Sequence, residues 1–163
     1  MLLLVSDSSV LIDLERGGLL ETVFQSGLSL VVPDLMYQNE LEKHNGGYLK
    51  ELGLTVVGLT PDEVSLAQDI EDQHRMLSSE DCFALVCGLR PKHILLVGDD
   101  RLRKEAATRG VTCHGLLWLL DEILATEKIS RASLCEGLTR ISRHANTRLP
   151  KAEVERRLQN WCS

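Results

Sequence analysis

Aromatic side chains are scarce in this 163-residue sequence, which holds two Trp, two Tyr and two Phe, 4% of the chain. They form no evident platform, so recognition of single strands by base stacking is not predicted. Nowhere does an apolar run approach the roughly 20 residues of a membrane span. The opening run Leu2–Val5 is too short for a signal-peptide core, has no basic residue ahead of it and runs into acids, so the expectation is a cytoplasmic protein without a membrane partner. The five cysteines (Cys82, Cys87, Cys113, Cys135, Cys162) are odd in number and contain no C-x-x-C pair. They indicate neither a disulfide framework nor a zinc site, and reduced, mostly buried thiols are expected. The five histidines (His44, His74, His93, His114, His144) show no H-E-x-x-H or paired-ligand spacing, and most are expected at the surface. Internal repeats and low-complexity segments are absent.

What is present is a hydrophobic content of 44%, enough for one compact domain with a substantial core. Charge is divided unevenly. Residues 1–100 carry six Lys/Arg against 17 Asp/Glu, whereas residues 101–163 carry 12 against seven. Such asymmetry suits an acidic site beside a basic surface that receives a polyanion, and suits equally a solvated C-terminal helical face.

Periodicity predicts alternating strands and helices. Strands are expected at Leu2–Val5, Leu28–Val32, Leu54–Leu59, Ile94–Val97 and Val111–Cys113. Helices are expected at Val10–Leu14 and Leu19–Gln25, then from Pro33 to about Lys43, where "HNGGY" breaks the chain. Further helices run from Thr60, an N-cap, to about Arg75, and from Ser78 to Arg90–Pro91. Asp100–Arg109, Leu116–Leu124, 130–144 and 150–161 complete the set. This order implies an α/β fold, a mostly parallel sheet with helices on both faces, whose ligands bind beyond the carboxyl ends of the strands.

Two of the cleanest strands end on acids: "LLLVS" meets Asp7, and "ILLVG" meets Asp99 and Asp100. Each of these acids has a plain explanation as a helix cap, and Asp81 in "SSED" has capping-box spacing. Glu40 lies deep in its expected helix, beside Met36 and Tyr37, where no cap is needed; Asp81 also has apolar helical neighbours, Leu77, Ala84 and Leu85. Acids bordering an apolar face need compensation, and a cluster of them with no adjacent Lys or Arg suits a hard divalent cation with oxygen-only ligands, Mg²⁺ or Mn²⁺.

The segments "LLLVSDSSVLIDL", "VVPDLMYQNELEK", "LSSEDCFALVCGL" and "HILLVGDDRLRKEAATRGVTCHGLLWLLDEIL" together resemble a PIN domain of the VapC toxin type. The resemblance covers about residues 1–126 and implies a three-layer α/β/α sandwich around a sheet of about five strands. Residues 1–126 form the PIN-like nuclease domain in this reading, and residues 127–163 a C-terminal helical extension packed on it. The resemblance further implies a Mg²⁺- or Mn²⁺-dependent endoribonuclease, the toxin of a toxin–antitoxin pair, with metal-binding and catalytic acids at Asp7, Glu40, Asp81 and Asp99 and an accessory acid at Asp100. Ser8 matches a hydroxyl position that orients water or contacts phosphate. Arg101, Arg103 and Lys104 are candidate phosphate contacts, with a solvated helix face as the alternative. RNA, an antitoxin and a second copy of the chain are the implied partners; the apolar run Leu116–Leu120 around Trp118 suits either that contact or the core. Two departures from the family pattern stand out: Ser9 where Asn is common, and Val97 where Thr or Ser often lies. With the acidic total they give weight to a rival, a catalytically idle PIN-like scaffold that binds RNA or protein; a second rival is a phosphoacceptor receiver domain, also a parallel α/β fold with an acidic pocket. The second lacks clustered acids after the first strand and a strand-end lysine.

Overall fold

The computed structural model describes residues 2–163. Five short strands, β1 (Leu3–Ser6), β2 (Ser29–Pro33), β3 (Thr55–Val57), β4 (His93–Leu96) and β5 (Cys113–His114), form one parallel sheet in the order β3-β2-β1-β4-β5. Leu4 of β1 pairs with Leu30 on one side and Ile94 on the other. Leu4, Val5, Leu95 and Leu96 are almost fully buried. A strand covered on both faces carries apolar residues in succession rather than alternation, which explains the unbroken "LLLV" and "ILLV".

The helices are α1 (Ser8–Arg16), α2 (Leu20–Gln25), α3 (Asp34–Met36), α4 (Gly46–Leu52), α5 (Pro61–Gln73), α6 (Ser79–Gly88), α7 (Asp100–Thr108), α8 (Leu116–Ala125), α9 (Arg131–Arg143) and α10 (Lys151–Trp161). A π-helical turn, Tyr37–Leu41, continues α3. Right-handed crossovers put the helices joining β1 to β2 to β3 on one face and those joining β3 to β4 to β5 on the other, which makes the three-layer α/β/α sandwich. On the second face α6 packs against β1, β2 and β4 and buries Cys82, Ala84, Leu85 and Val86. Because β1 departs toward β2 while β4 lies on its other side, the order reverses between β1 and β4. That reversal opens a crevice at their carboxyl ends.

Residues 127–163 pack on the first face. Leu134, Leu138 and Ile141 of α9 are fully buried, and α9 contacts α1, α8 and α10. Two glycines permit this approach: a Cβ on Gly17 would lie 2.8 Å from the Ile141 side chain, and one on Gly137 2.5 Å from that of Leu19. The last helix, α10, is held by a bidentate Arg157–Asp121 pair at 2.7 and 2.9 Å and by a Cys135–Cys162 disulfide.

That disulfide corrects the expectation of five reduced thiols. Its partners are 27 residues apart, and only the antiparallel return of α10 along α9 brings them together. Cys82 and Cys87 are buried free thiols, pushed by burial up to about 12 and about 11. Other differences are local. The break expected at "HNGGY" is brief, since Gly46 already opens α4; this glycine fits under Tyr37, whose ring atoms lie 2.8 Å from where its Cβ would be. Pro33 closes β2 rather than opening a helix. Among the described residues no helix is long and apolar enough to cross a membrane.

Gly137→Ala is expected to cost about 1–3 kcal/mol, as overpacking does, and to lower Tm by about 2–4 °C for each kcal/mol, measured by calorimetry. A second expectation concerns the bidentate Arg90–Glu63 pair, 2.8 Å at both contacts. The Arg90 guanidinium holds the Glu63 carboxyl at about 2, against an ordinary value of 4.5. A lowered folded-state value stabilises above the unfolded value, so this contribution is present above about pH 4.5 and is lost as pH falls toward 2. Urea titrations of the parent and Glu63→Gln should therefore differ at pH 7 and converge as the pH approaches 2.

Candidate active site at the carboxyl ends of β1 and β4

Asp7 stands where β1 gives way to α1. Its backbone N–H donates to the Leu96 carbonyl of β4 at 2.9 Å, and its side chain is 4% exposed. Three donors fix the carboxylate. Ser9 Oγ (2.8 Å) and the Val10 N–H (3.0 Å) donate to Oδ1, and the Gly98 N–H (2.9 Å) donates to Oδ2. Burial still raises its pKa above the ordinary value, the hydrogen bonds oppose that rise, and the charge of Asp81 adds to it. Gly98 is required by this geometry, because a Cβ there would lie 2.6 Å from Ser9 Oγ.

Asp99 follows β4 and caps α7, its Oδ1 accepting from the N–H groups of Arg101 (2.7 Å) and Leu102 (3.2 Å). Asp81 lies in the first turn of α6, where it and Ser78 form a reciprocal capping box. Its Oδ2 accepts from the Ser78 N–H at 3.2 Å. Half-burial raises its pKa, and the charges of Asp99 and Glu80 add to the rise. Glu40 comes from the π-helical turn. Partial loss of solvent raises its pKa first, a hydrogen bond from the Ser8 hydroxyl opposes that, and Glu80, Asp81 and Asp7 raise it further. The charge of Asp81 thus acts on Asp7, those of Asp81 and Asp7 act on Glu40, and that of Asp99 acts on Asp81.

The sequence reading placed Glu40 on the border of an apolar stripe. In the structure Met36, Tyr37 and Leu41 are buried while Gln38, Asn39 and Glu40 are exposed. The i→i+5 bonding of the π turn, with Glu42 N–H donating to the Tyr37 carbonyl at 2.8 Å, widens the turn and carries Glu40 off the stripe. Its neighbour Asn39 donates to Glu80 Oε1 at 2.8 Å, which ties the π turn to the start of α6.

Helix capping therefore accounts for the position of three acids, but not for their convergence. Asn caps as well as Asp without a charge. Gathering like charges costs stability unless a cation offsets them. Among the described residues no three His, Cys, Asp or Glu side chains close on a point as a finished metal-ligand group. The donor chemistry nonetheless suits a hard divalent ion. Asp81 Oδ1 and Asp99 Oδ2 accept no hydrogen bond from the described residues, Asp7 Oδ2 accepts one, and all the donors are carboxylate oxygens.

The remaining predicted residues lie around this cluster. Asp100, Arg101 and Lys104 are exposed on the first turns of α7. Arg103 turns back to the sheet and donates to the Val97 carbonyl at 3.1 Å. Ser9, Gly98 and Glu80 were missed as site residues. Ser9 entered the reading only as a departure from a pattern, although its hydroxyl orients Asp7; the small residue between Val97 and Asp99 was the available sign of Gly98.

A family model described as a PIN domain matches residues 3–163. No curated protein and no solved structure matches the chain.

The contact of Ser9 with Gly98 generates a test of how Asp7 is held. Ser9→Ala, which removes one donor, should cost about 0.5–1.5 kcal/mol, and Gly98→Ala about 1–3 kcal/mol by overpacking. Taking away Oγ leaves the next atom, Ser9 Cβ, at an ordinary 3.5 Å from the new methyl group. The double variant should thus lose less than the two single losses added together, a coupling read by denaturant titration.

Proposed function

The chain belongs to the PIN-domain family, a nuclease-like fold, and on that premise we propose that it is a metal-dependent endoribonuclease. The observation that supports the reading is the placement of Asp7, Asp81 and Asp99 at helix starts around the switch between β1 and β4, with Glu40 beside them and the charges of Asp7 and Asp81 acting on it. These four would hold Mg²⁺ or Mn²⁺, with Asp100 as an accessory acid. The ion, when bound, supplies Lewis-acid polarisation of a phosphodiester and lowers the pKa of an attacking water.

The chain's own groups do the positioning. Ser9 and the Gly98 N–H fix Asp7 in one orientation, so the carboxylate needs little reorganisation when the ion arrives. Ser8 holds Glu40 toward the cluster. Arg101 and Lys104, exposed beside Asp99, are placed to meet the phosphates that flank the scissile bond. The narrower reading, a toxin restrained by an antitoxin and working as a homodimer in the cytoplasm, rests on the resemblance to VapC-type sequences alone.

Asp81→Asn separates this reading from that of an inert scaffold. The amide keeps the capping acceptor and removes one charge, so in metal-free buffer at pH 7 the variant should melt higher than the parent. The sign follows from the raised folded-state pKa of Asp81, which makes its ionised form a cost to folding at neutral pH. The parent should gain stability with Mn²⁺ or Mg²⁺, by about 2.7 kcal/mol at 100 times the dissociation constant, and the variant much less. Cleavage of a mixed RNA pool should need the metal, stop with EDTA and be lost in Asp81→Asn. Metal-independent cleavage, or full activity in the variant, rejects the proposal.

A further inference from the structure

Beside the acid cluster lies a wide hollow. It has a volume of about 1180 Å³ and runs from Asp99 past the start of α8 to the segment leading into α10. This exceeds the roughly 300–1,000 Å³ of small-ligand pockets and suits a length of polymer. His114 and Trp118 both line it, stacked with ring centroids 4.1 Å apart and planes 6° from parallel. Both rings are half-buried, and burial lowers the His114 pKa, which favours a neutral imidazole. The start of α8, which begins at 116, brings residues 114 and 118 into register.

The charges lining the hollow sort into committed and free. Asp13 faces Arg16 at 3.4 Å, Glu153 bonds Arg156 and Arg157, and Arg157 is also bound to Asp121. Arg103 donates to the Val97 carbonyl. Asp99 and Asp100 stand at the end shared with the acid cluster. Arg101 and Arg148 are exposed and make no side-chain hydrogen bond or ion pair with the described residues. The N-cap of α8 is Gly115, which provides no side-chain cap and lines the hollow with Leu116 and Leu117, so first-turn N–H groups remain for an anion.

We propose that this hollow is a subsite for single-stranded RNA, in which one base extends the His114–Trp118 stack while neighbouring phosphates lie against Arg101 and Arg148. The proposal rests on the endoribonuclease reading and adds to it a place where the strand is gripped beyond the scissile bond. Stacking is tolerant of sequence, since every base has a π face, so the subsite favours unpaired RNA over duplex rather than one base over another.

The test uses the full chain carrying Asp81→Asn, with Mg²⁺, and compares a hexaadenylate with an abasic ribose-phosphate hexamer of the same charge. Quenching of Trp118 emission, measured in a Trp161→Phe background, should saturate with the first oligonucleotide, and binding of the abasic hexamer should be about tenfold weaker. His114→Ala should abolish the difference between the two. Arg148→Ala should weaken both and reduce the slope of log affinity against log salt by about 0.7. Equal affinity for the two hexamers, or a difference that survives His114→Ala, overturns the subsite. RNA cleavage by Asp81→Asn would instead reject the metal-dependent mechanism at the acid cluster, so the two failures are distinct.

Discussion

A carboxylate shut away from water between two parallel strands is the constraint on which the rest of this molecule depends. Asp7 is kept in place by donors from two directions, Ser9 and Val10 on its own side and Gly98 from across the sheet. Its partner strands must therefore be in register before the side chain has a defined position. The parallel pairing of β1 with β4 sets Val5 opposite Leu95 and Ser6 opposite Leu96, and that register brings Gly98 to Asp7. Packing energy at the centre of the sheet is thereby converted into the orientation of one charged group at its edge.

Capping and chemistry are compatible uses of the same side chain. Asp81 and Asp99 each spend one oxygen on the exposed N–H groups that open a helix and leave the other directed elsewhere. The helix fixes the acid, and the acid satisfies the helix. This arrangement costs little where charges are far apart. Here they are close, so the folded chain carries electrostatic strain that an ion of opposite sign would relieve.

Much of the architecture was legible in the sequence because local and long-range signals agreed. Unbroken β-forming runs, helix caps at Thr60 and Ser78 and the glycine after α7 point to the same elements that the structure contains. Asp7, Asp81 and Asp99 stand out in the sequence because each follows a strand or lies near a helix start, and Glu40 because it lies deep in its expected helix; their grouping as one site comes from the family resemblance. Features set by tertiary geometry could not be read. The π-helical turn at Tyr37–Leu41, which carries Glu40, is one of them. The pairing of Cys135 with Cys162 depends on the path of α10. Gly98 looked like an ordinary strand-end glycine until Ser9 was seen beside it, and His114 and Trp118, four apart in sequence, gave no sign of parallel rings.

One consequence of the sheet order concerns synthesis. Asp7 leaves the ribosome early, whereas the backbone amide that pins it belongs to residue 98. An unfinished chain that stops short of β4 holds the first acid and its local donors, Ser9 and Val10, but nothing yet meets its second oxygen; that half of the grip waits until the counterpart strand slides in alongside.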